Sequence, residues 1–573
     1  MILQALTRLF EDLVEQGKLS RPGWSPAKLS YVLCLDESGA LTYVVPLLRE
    51  EQIGKKTQLR PTPVELPSPV TRTVGILPNF LWDNSSYILG VDEKGKPERS
   101  QACFRACGEL HHRLLDGVDS PVARALLIFF DTWQPEKAQE HPALTDCWQE
   151  IMKGANLSFR VNGQFIWEDP LIRGAWDAYY GNIQGEKQQC LVTGNLDVAE
   201  PVHPSIKGVA GAQSSGAAIV SFNAPAFCSY GKEQSLNAPV GKYAAFAYTA
   251  ALNHLLADRE NVHRIGDTTV VCWAEGAEPQ YGLFAGMSLF GDNLPDTLSD
   301  DDLRSALNNL AQGLPCEALK LDPNRPFYIL GLAPNAARLS VRFFYRNRFG
   351  ALMKNVNAHH ERMEIVGKRW PITPLWAMLR ETVNLNTTDK TPSPVLTGAV
   401  TRAVFTGTAY PTSLLEAVML RIRAEREITP GRAAILKAYY LKNPCEQCPK
   451  EVLTVALNEN STNIPYTLGR LFAVYEDVQE TANPGINATI KDKYFNSAAA
   501  TPAVIFPILD NLCQKHLRKL EARLRITKDK QIGALKNVLG ESYPIRLTLP
   551  EQGSFNLGYY HQKQFRYTKK EDT

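Results

Sequence analysis

Apolar residues recur at three- and four-residue spacing through LLEAVMLRIRAERE, GRAAILKAYYLKN, YTLGRLFAVYEDVQE and VIFPILDNLCQKHLRKLEARL. The chain beyond about residue 375 is therefore predicted to be helical almost to its end. MILQALTRLFEDLVEQG at the start has the same period, and its Glu11, Asp12 and Glu15 mark an amphipathic helix and not a signal peptide. Between these ends the pattern changes. YVLCL (31–35), LTYVVPLL (41–48), YILGV (87–91), QCLVT (189–193), AAIVSF (217–222), TTVVCWA (268–274), FYILGLA (327–333) and RLSVRFFYR (338–346) read as strands. Helices are expected at 100–116, 120–133, 239–257 and 299–312. Ser120 ahead of Pro121 opens the second, and Ser299 with Asp302 forms a capping box on the last. Pro61, Pro63, Pro67 and Pro69 predict a loop. The expected fold is α+β, a mixed α/β N-terminal part followed by a C-terminal helical bundle. Its segments are 1–154, an N-terminal α/β subdomain; 155–374, an α/β domain with glycine-rich polar loops; and 375–573, the bundle.

Composition narrows this picture. With 44% hydrophobic and 21% charged residues over 573 positions, the chain has the apolar surface to fold into several domains. No apolar run reaches the roughly 18 residues a membrane span needs. Eleven cysteines scattered singly fit reduced thiols, hence a cytoplasmic location and no membrane partner. The net charge of +2 hides an asymmetry: residues 419–573 hold 23 Lys and Arg against 16 Asp and Glu, which leaves 39 and 44 of the chain's 62 and 60 for the remainder. A basic end suits a polyanion.

The motifs of nucleotide hydrolases, Rossmann enzymes, serine hydrolases and zinc proteases (G-x-x-x-x-G-K-[ST], G-x-G-x-x-G, G-x-S-x-G, H-E-x-x-H) are missing. Cys445 and Cys448 with Cys513 and His516 could supply zinc ligands, but Cys513 falls in line with Leu509 and Leu517 as a core residue. Cys103, Cys107 and His111 recur every four residues as one packed stripe, and the adjacent His359 and His360 read as surface. Neither a metal nor another cofactor is expected. The strongest polar feature is Lys207 to Gly241, KGVAGAQSSGAAIVSFNAPAFCSYGKEQSLNAPVG, whose glycines let a backbone approach a ligand and whose amides and hydroxyls suit phosphates, riboses and base edges. The other reading is two ordinary glycine-rich loops flanking a buried strand. Arg338 and Arg342 alternate with Leu339, Val341 and Phe343, and with Arg346 and Arg348 they form either a solvated face or a track for nucleic-acid backbone.

The run GVAGAQSSGAAIVSFNAPAFCSYGKEQSLNAPVGKYAAFAYTAALNHLL resembles the signature of the large subunit of the type I-C CRISPR surveillance complex, Cascade. GILPNFLWDNSSYILG (75–90), DKYFNSAAATPAVIFPILDNLCQKHLRKLE (492–521) and EQGSFNLGYYHQKQ (551–564) agree with it in order, so the resemblance spans nearly the whole chain. It implies a non-catalytic subunit that recognises the protospacer-adjacent motif (PAM) in duplex DNA, helps open the target and recruits a separate helicase-nuclease. The implied partners are crRNA, double-stranded target DNA, the backbone and crRNA-5′-end subunits and a small subunit. It further implies a small-subunit-like region from about 419, also made from an internal start for which Met419 is one possibility.

Two other readings stand beside it: a purely structural assembly subunit contacting the crRNA 5′ end and sister subunits, and a nucleotide-handling enzyme. For the enzyme, His203 and His254 are the nearest bases in sequence and lack an evident acidic orienter. Base-edge readers need directional donors and acceptors on a backbone that can come close. By elimination, PAM readout is assigned to Asn79, Asn84, Gln213, Ser214, Ser215, Asn223, Gln234 and Asn237, with Lys207 and Lys232 on phosphates; the other reading is that the asparagines cap turns and the glutamines brace the loop.

Overall fold

The computed structural model describes residues 1–53, 56–70, 75–94, 96–181, 187–258, 262–295, 297–370, 372–384, 386–388 and 390–568. The chain divides into two units, Met1–Pro204 with Ser221–Ala251, and Ser205–Val220 with Leu252–Thr573.

The strands of the first unit are β1 (Trp24–Leu29), β2 (Tyr31–Leu35), β3 (Leu41–Pro46), β4 (Leu48–Ile53), β5 (Lys56–Pro67), β6 (Asp83–Asn84), β7 (Asn156–Val161), β8 (Gln164–Phe165), β9 (Lys187–Gln189) and β10 (Leu196–Val198). Its helices are α1 (Ile2–Glu15), α2 (Ser85–Ile88), α3 (Pro97–Leu115), α4 (Pro121–Thr132), α5 (Trp148–Met152) and α6 (Pro170–Gly181). Helix α7 (Lys242–Ala257) supplies residues up to Ala251 to this unit and the rest to the other. One sheet runs β3-β2-β7-β6 with β8 on β7, and β2 and β7 are parallel. Helix α4, capped by Ser120 as expected, lays Phe129 and Phe130 against Phe159 at ring distances of 5.1 and 5.8 Å. The Cys103–Cys107–His111 stripe is packed inside. His111 Nδ1 donates to the Cys107 carbonyl (2.7 Å) and Nε2 accepts from Leu81 N–H (3.0 Å), while burial lowers its pKa to about 4 and keeps it neutral.

Three expectations for this unit need correction. The proline-rich stretch is a strand, β5, in the sheet β1-β5-β4. Residues 56–61 pair with β4 and residues 62–67 with β1, so each half of β5 leaves one side unpaired, the position where a strand tolerates proline. YILGV is not a strand. Asp83 accepts from Asn79 N–H and Asn84 N–H, Asn84 caps α2, and Tyr87 and Ile88 are helical. QCLVT stops being a strand at Gln189 because the chain turns round Cys190, whose Sγ accepts from the N–H groups of Val192 and Thr193.

The second unit contains β11 (Val262–Ile265), β12 (Thr268–Ala274), β13 (Pro326–Asn335) and β14 (Arg338–Arg348), an antiparallel sheet in that order. Strand β12 is buried at every position, which is why its sequence is continuously apolar. The helices are α8 (Pro279–Ala285), α9 (Asp300–Ala311), α10 (Phe349–Met363), α11 (Leu375–Arg380), α12 (Pro394–Thr406), α13 (Thr412–Glu425), α14 (Pro430–Lys442), α15 (Ile464–Ala482), α16 (Ile490–Ala500), α17 (Pro502–Leu517), α18 (Ala522–Leu539) and α19 (Leu549–Thr568). Ser299 and Asp302 form the expected capping box on α9. One apolar core runs from Ile265 of the sheet to Tyr560 of α19.

Here too the pattern misled in places. In AAIVSF only Ala217 and Ala218 bond like a strand, through isolated bridges to Ile206 and Arg338. A bulge opposite Gly331 and Leu332 breaks the alternation of β14, so Leu339 and Phe343 are buried but Val341 is exposed. His359 is buried, with Nδ1 2.7 Å from the Tyr410 hydroxyl, and His360 Nε2 donates to the Ser288 carbonyl at 2.8 Å. Helix α10 packs on α9, α12 and α14, so adjacent residues both meet protein. Met419 is buried midway along α13.

Helices α15 and α19 cross where both carry glycine. A Cβ on Gly469 would lie 2.0 Å from the Phe555 carbonyl oxygen, and one on Gly558 would lie 2.1 Å from that of Tyr466. Gly469→Ala and Gly558→Ala are each expected to destabilise the full chain by about 3 kcal/mol, as overpacking does when backbone cannot yield. Gly533→Ala, in α18 with nothing within 4 Å of its Cβ, is the control and should gain about 0.5–1 kcal/mol. Urea unfolding midpoints of the three variants check this ordering.

Candidate functional site

The glycine- and amide-rich segment is shared between the units: Ser205–Val220 belongs to the second, Ser221–Ala251 to the first. In the second unit Ile206 and Ala217 exchange both backbone hydrogen bonds at 2.9 Å, closing the loop 207–216. Gly216, at φ +99°, sits where a Cβ would meet Ser205 at 2.7 Å. Asn253 on α7 braces the base of the loop: its Oδ1 accepts from Lys207 N–H (2.8 Å) and its Nδ2 donates to the Ser205 carbonyl (3.0 Å). Thr269 Oγ1 accepts from Ala210 N–H at 3.0 Å. Lys207, Gln213, Ser214 and Ser215 are exposed on this fixed loop.

The same segment joins the arginine strand. Ala218 pairs with Arg338 in parallel, and Leu339 N–H donates to the Ala218 carbonyl at 2.9 Å. Beyond that point β14 is an edge strand of its sheet. Arg342, Arg346 and Arg348 are exposed and each is oriented: Arg342 by Asp267 (2.8 Å), Arg346 over the Tyr328 ring (5.8 Å), Arg348 by Asn324 Oδ1 (3.4 Å). Arg338 is half-buried. Lys207, Gln213, Ser214, Ser215 and the four arginines thus share one unit, connected through a strand edge.

The other assigned residues lie in the first unit. Asn79 is 4% exposed; its Oδ1 accepts from Val70 N–H at 3.0 Å. Asn237 is a brace as well, accepting from Ser229 N–H and donating to the carbonyls of Lys232 and Gln234. Asn223, Lys232 and Gln234 are exposed, beside Tyr230 at 99% exposure. Asn84 uses Oδ1 to cap α2 and lines a cleft of about 470 Å³ with Ser86, Asp92, Lys94, Lys96, Arg99 and Ser100. The sequence reading passed over this cleft; the signal was three cations around Pro97, the first residue of α3.

Chemically, the loop and strand supply neutral donors and acceptors beside guanidinium groups, a set for binding polyanions. His203 is buried, with Nδ1 2.6 Å from the Tyr248 hydroxyl and its pKa lowered to about 4. Cys445 and Cys448 face each other across a tight turn, and burial pushes the Cys448 thiol up to about 12. Among the described residues no three His, Cys, Asp or Glu side chains converge as metal ligands, and no helix is long and apolar enough to cross a membrane.

A family model described as CRISPR-associated protein (Cas_Csd1) matches residues 6–567, nearly the whole chain. No curated protein matches.

Removing the Asn253 brace should loosen the loop selectively. In Asn253→Ala, amide exchange at Lys207 is expected to rise about tenfold or more for the loss of a hydrogen bond of about 1.5 kcal/mol. Exchange at β12 should stay unchanged. Hydrogen-exchange mass spectrometry on the full chain reads both.

Proposed function

Because the chain belongs to the Cas_Csd1 family of CRISPR-associated proteins and is thereby the large subunit of a type I-C Cascade, we propose that it recognises the PAM in duplex DNA and helps open the target for crRNA pairing. Its role is non-catalytic, with cleavage left to a recruited helicase-nuclease. The observation that carries this reading is the exposed Gln213–Ser214–Ser215 tip, braced at its base and tied through Ala218 to the arginine-bearing edge of β14.

In such a complex base pairing supplies most of the sequence information, so the protein reads only a short motif. One bidentate amide-to-base contact discriminates by about 1–3 kcal/mol, and a few side chains suffice for a short motif. Gln213 is the strongest reader on this argument, with Ser214 and Ser215 as tolerant donors and Lys207 on a phosphate. Asn223, Gln234 and Lys232 form a second exposed set in the first unit. Asn237 supports the reading only indirectly, by holding the loop that carries Lys232 and Gln234, and Asn79 is spent on the Val70 backbone. The β14 arginines act on phosphates, where they add affinity without sequence preference.

Two experiments on the assembled complex test this. Gln213→Ala is expected to weaken binding to the correct motif by about 1–3 kcal/mol and leave binding to altered motifs nearly unmoved; Gln234→Ala and Asn223→Ala are the parallel tests. Retention of the full preference by all three would place readout elsewhere. Replacing Arg338, Arg342, Arg346 and Arg348 with Gln should instead weaken all sequences alike, and lower the slope of log affinity against log salt by about one per lost phosphate contact. An unchanged slope would make these residues a solvated face.

A further inference from the structure

We propose that the cleft lined by Asn84, Lys94, Lys96, Arg99 and Ser100 is a binding site for a phosphate-bearing ligand of nucleotide size. Its volume of about 470 Å³ is in the range of small-ligand sites, roughly 300–1,000 Å³. Three cations and one acid, Asp92, line it. Both oxygens of that acid are already occupied, Oδ2 by the Ser86 hydroxyl (2.9 Å) and Oδ1 by Lys94 N–H (3.0 Å). Lys94, Lys96 and Arg99 are exposed and have no ion-pair partner among the described residues. Glu93 and Glu98 flank the cleft without lining it, so the lining itself holds three cations against one carboxylate.

Two further features point to an anion. The cations surround the N-terminus of α3, a 19-residue helix opened by Pro97, and this end carries the positive pole of the helix dipole. Ser100 lies one turn in. It is 1% exposed, and its hydroxyl has no hydrogen-bond partner among the described residues. A buried hydroxyl left without a partner is costly, and a phosphate oxygen in the cleft would satisfy it. Three cations plus a hydroxyl donor match a phosphate dianion. The Asn84 amide, whose oxygen is spent on capping α2, keeps its N–H groups for the sugar or base of the ligand.

A nucleic-acid strand end and a free nucleotide both present this chemistry, and only the polymeric source rests on the function proposed above. The full chain is titrated with a 12-nucleotide single strand carrying either a 5′-phosphate or a 5′-hydroxyl, with AMP and inorganic phosphate as separate probes. The phosphorylated strand is expected to bind about tenfold tighter than the hydroxyl strand, the worth of one or two charge-assisted contacts. Arg99→Gln and Ser100→Ala should abolish that preference, and Lys137→Gln, an exposed lysine outside the cleft, should keep it. Ser100→Ala removes an unsatisfied group, so its unfolding midpoint should not fall, which separates lost binding from lost folding. If AMP or phosphate binds and is lost in both variants while the strand shows no preference, the cleft takes a free nucleotide. If no phosphate-bearing probe binds, or the variants bind like the parent chain, the proposal is overturned. A complex in which Gln213→Ala, Gln234→Ala and Asn223→Ala all keep the motif preference while Arg99→Gln loses phosphate binding would place PAM readout elsewhere and leave the cleft standing.

Discussion

Two helices can bring their backbones together only where neither carries a Cβ at the crossing, and α15 and α19 meet this condition reciprocally at Gly469 and Gly558. At this close approach Phe472 packs on Phe555 and Tyr559 at ring distances of 6.2 and 6.0 Å, and polar groups on the two helices also meet each other. Tyr559 donates to Glu476 (2.6 Å), Arg470 to Gln562 (3.1 Å), and the Tyr466 hydroxyl meets His561 Nδ1 at 2.9 Å. Buried polar groups are stable when each finds a partner, and this network fixes the register of the pair. Helix α14 then packs on α19 with Tyr440 against Gly553, and reaches back with Lys437. Lys437 donates from inside the protein to the carbonyls of Arg362 (3.0 Å) and Glu364 (2.7 Å), capping α10. Burial lowers the pKa of this ammonium to about 8. Because α10 follows β14 directly, order passes from the glycine crossing to the strand edge that carries the polar loop.

That network also changes the meaning of the basic C-terminal region. Arg432, Lys437 and Arg470 are buried and belong to internal contacts. Lys563 pairs with Glu476, Lys528 with Asp477, and Arg566 with Asp477 and Glu480. A net charge counted along the sequence is thus partly consumed by the fold, and what a polyanion meets is the remainder. Arg518, Arg523, Arg525 and Lys530, at the end of α17 and on α18, are exposed and make up part of that remainder.

The elements legible in the sequence were those with a local cause. Ser120 with Pro121 and Ser299 with Asp302 act within one helical turn, and α17 buries one stripe, Phe506, Leu509, Cys513 and Leu517, at helical spacing. Elements set by distant partners were not legible. Nothing in Pro61, Pro63 and Pro67 announces a strand that changes neighbours halfway, and nothing in YILGV announces that Asp83 and Asn84 organise a helical turn before it. The bulge that exposes Val341 depends on the partner strand. The candidate site was legible as chemistry and not as geometry: Gln213 and Gln234 stand close in sequence and in different units.

This separation bears on what the segments resembling the family mean. EQGSFNLGYYHQKQ is the buried face of α19, and Phe80, Leu81, Trp82 and Asp83 of PNFLWDN are core. Such runs serve packing, because the glycine crossing and the Asp83 turn leave little room for other residues. They identify the fold. The chemistry of recognition must come from side chains that the fold holds in place without using, and Gln213, Ser214 and Ser215 satisfy that requirement where Asn79 and Asn237 do not. A buried asparagine that already holds backbone cannot also turn toward a base edge without giving up a bond. The same distinction, between groups spent on the fold and groups left over, favours Lys94, Lys96, Arg99 and the Ser100 hydroxyl as a binding set.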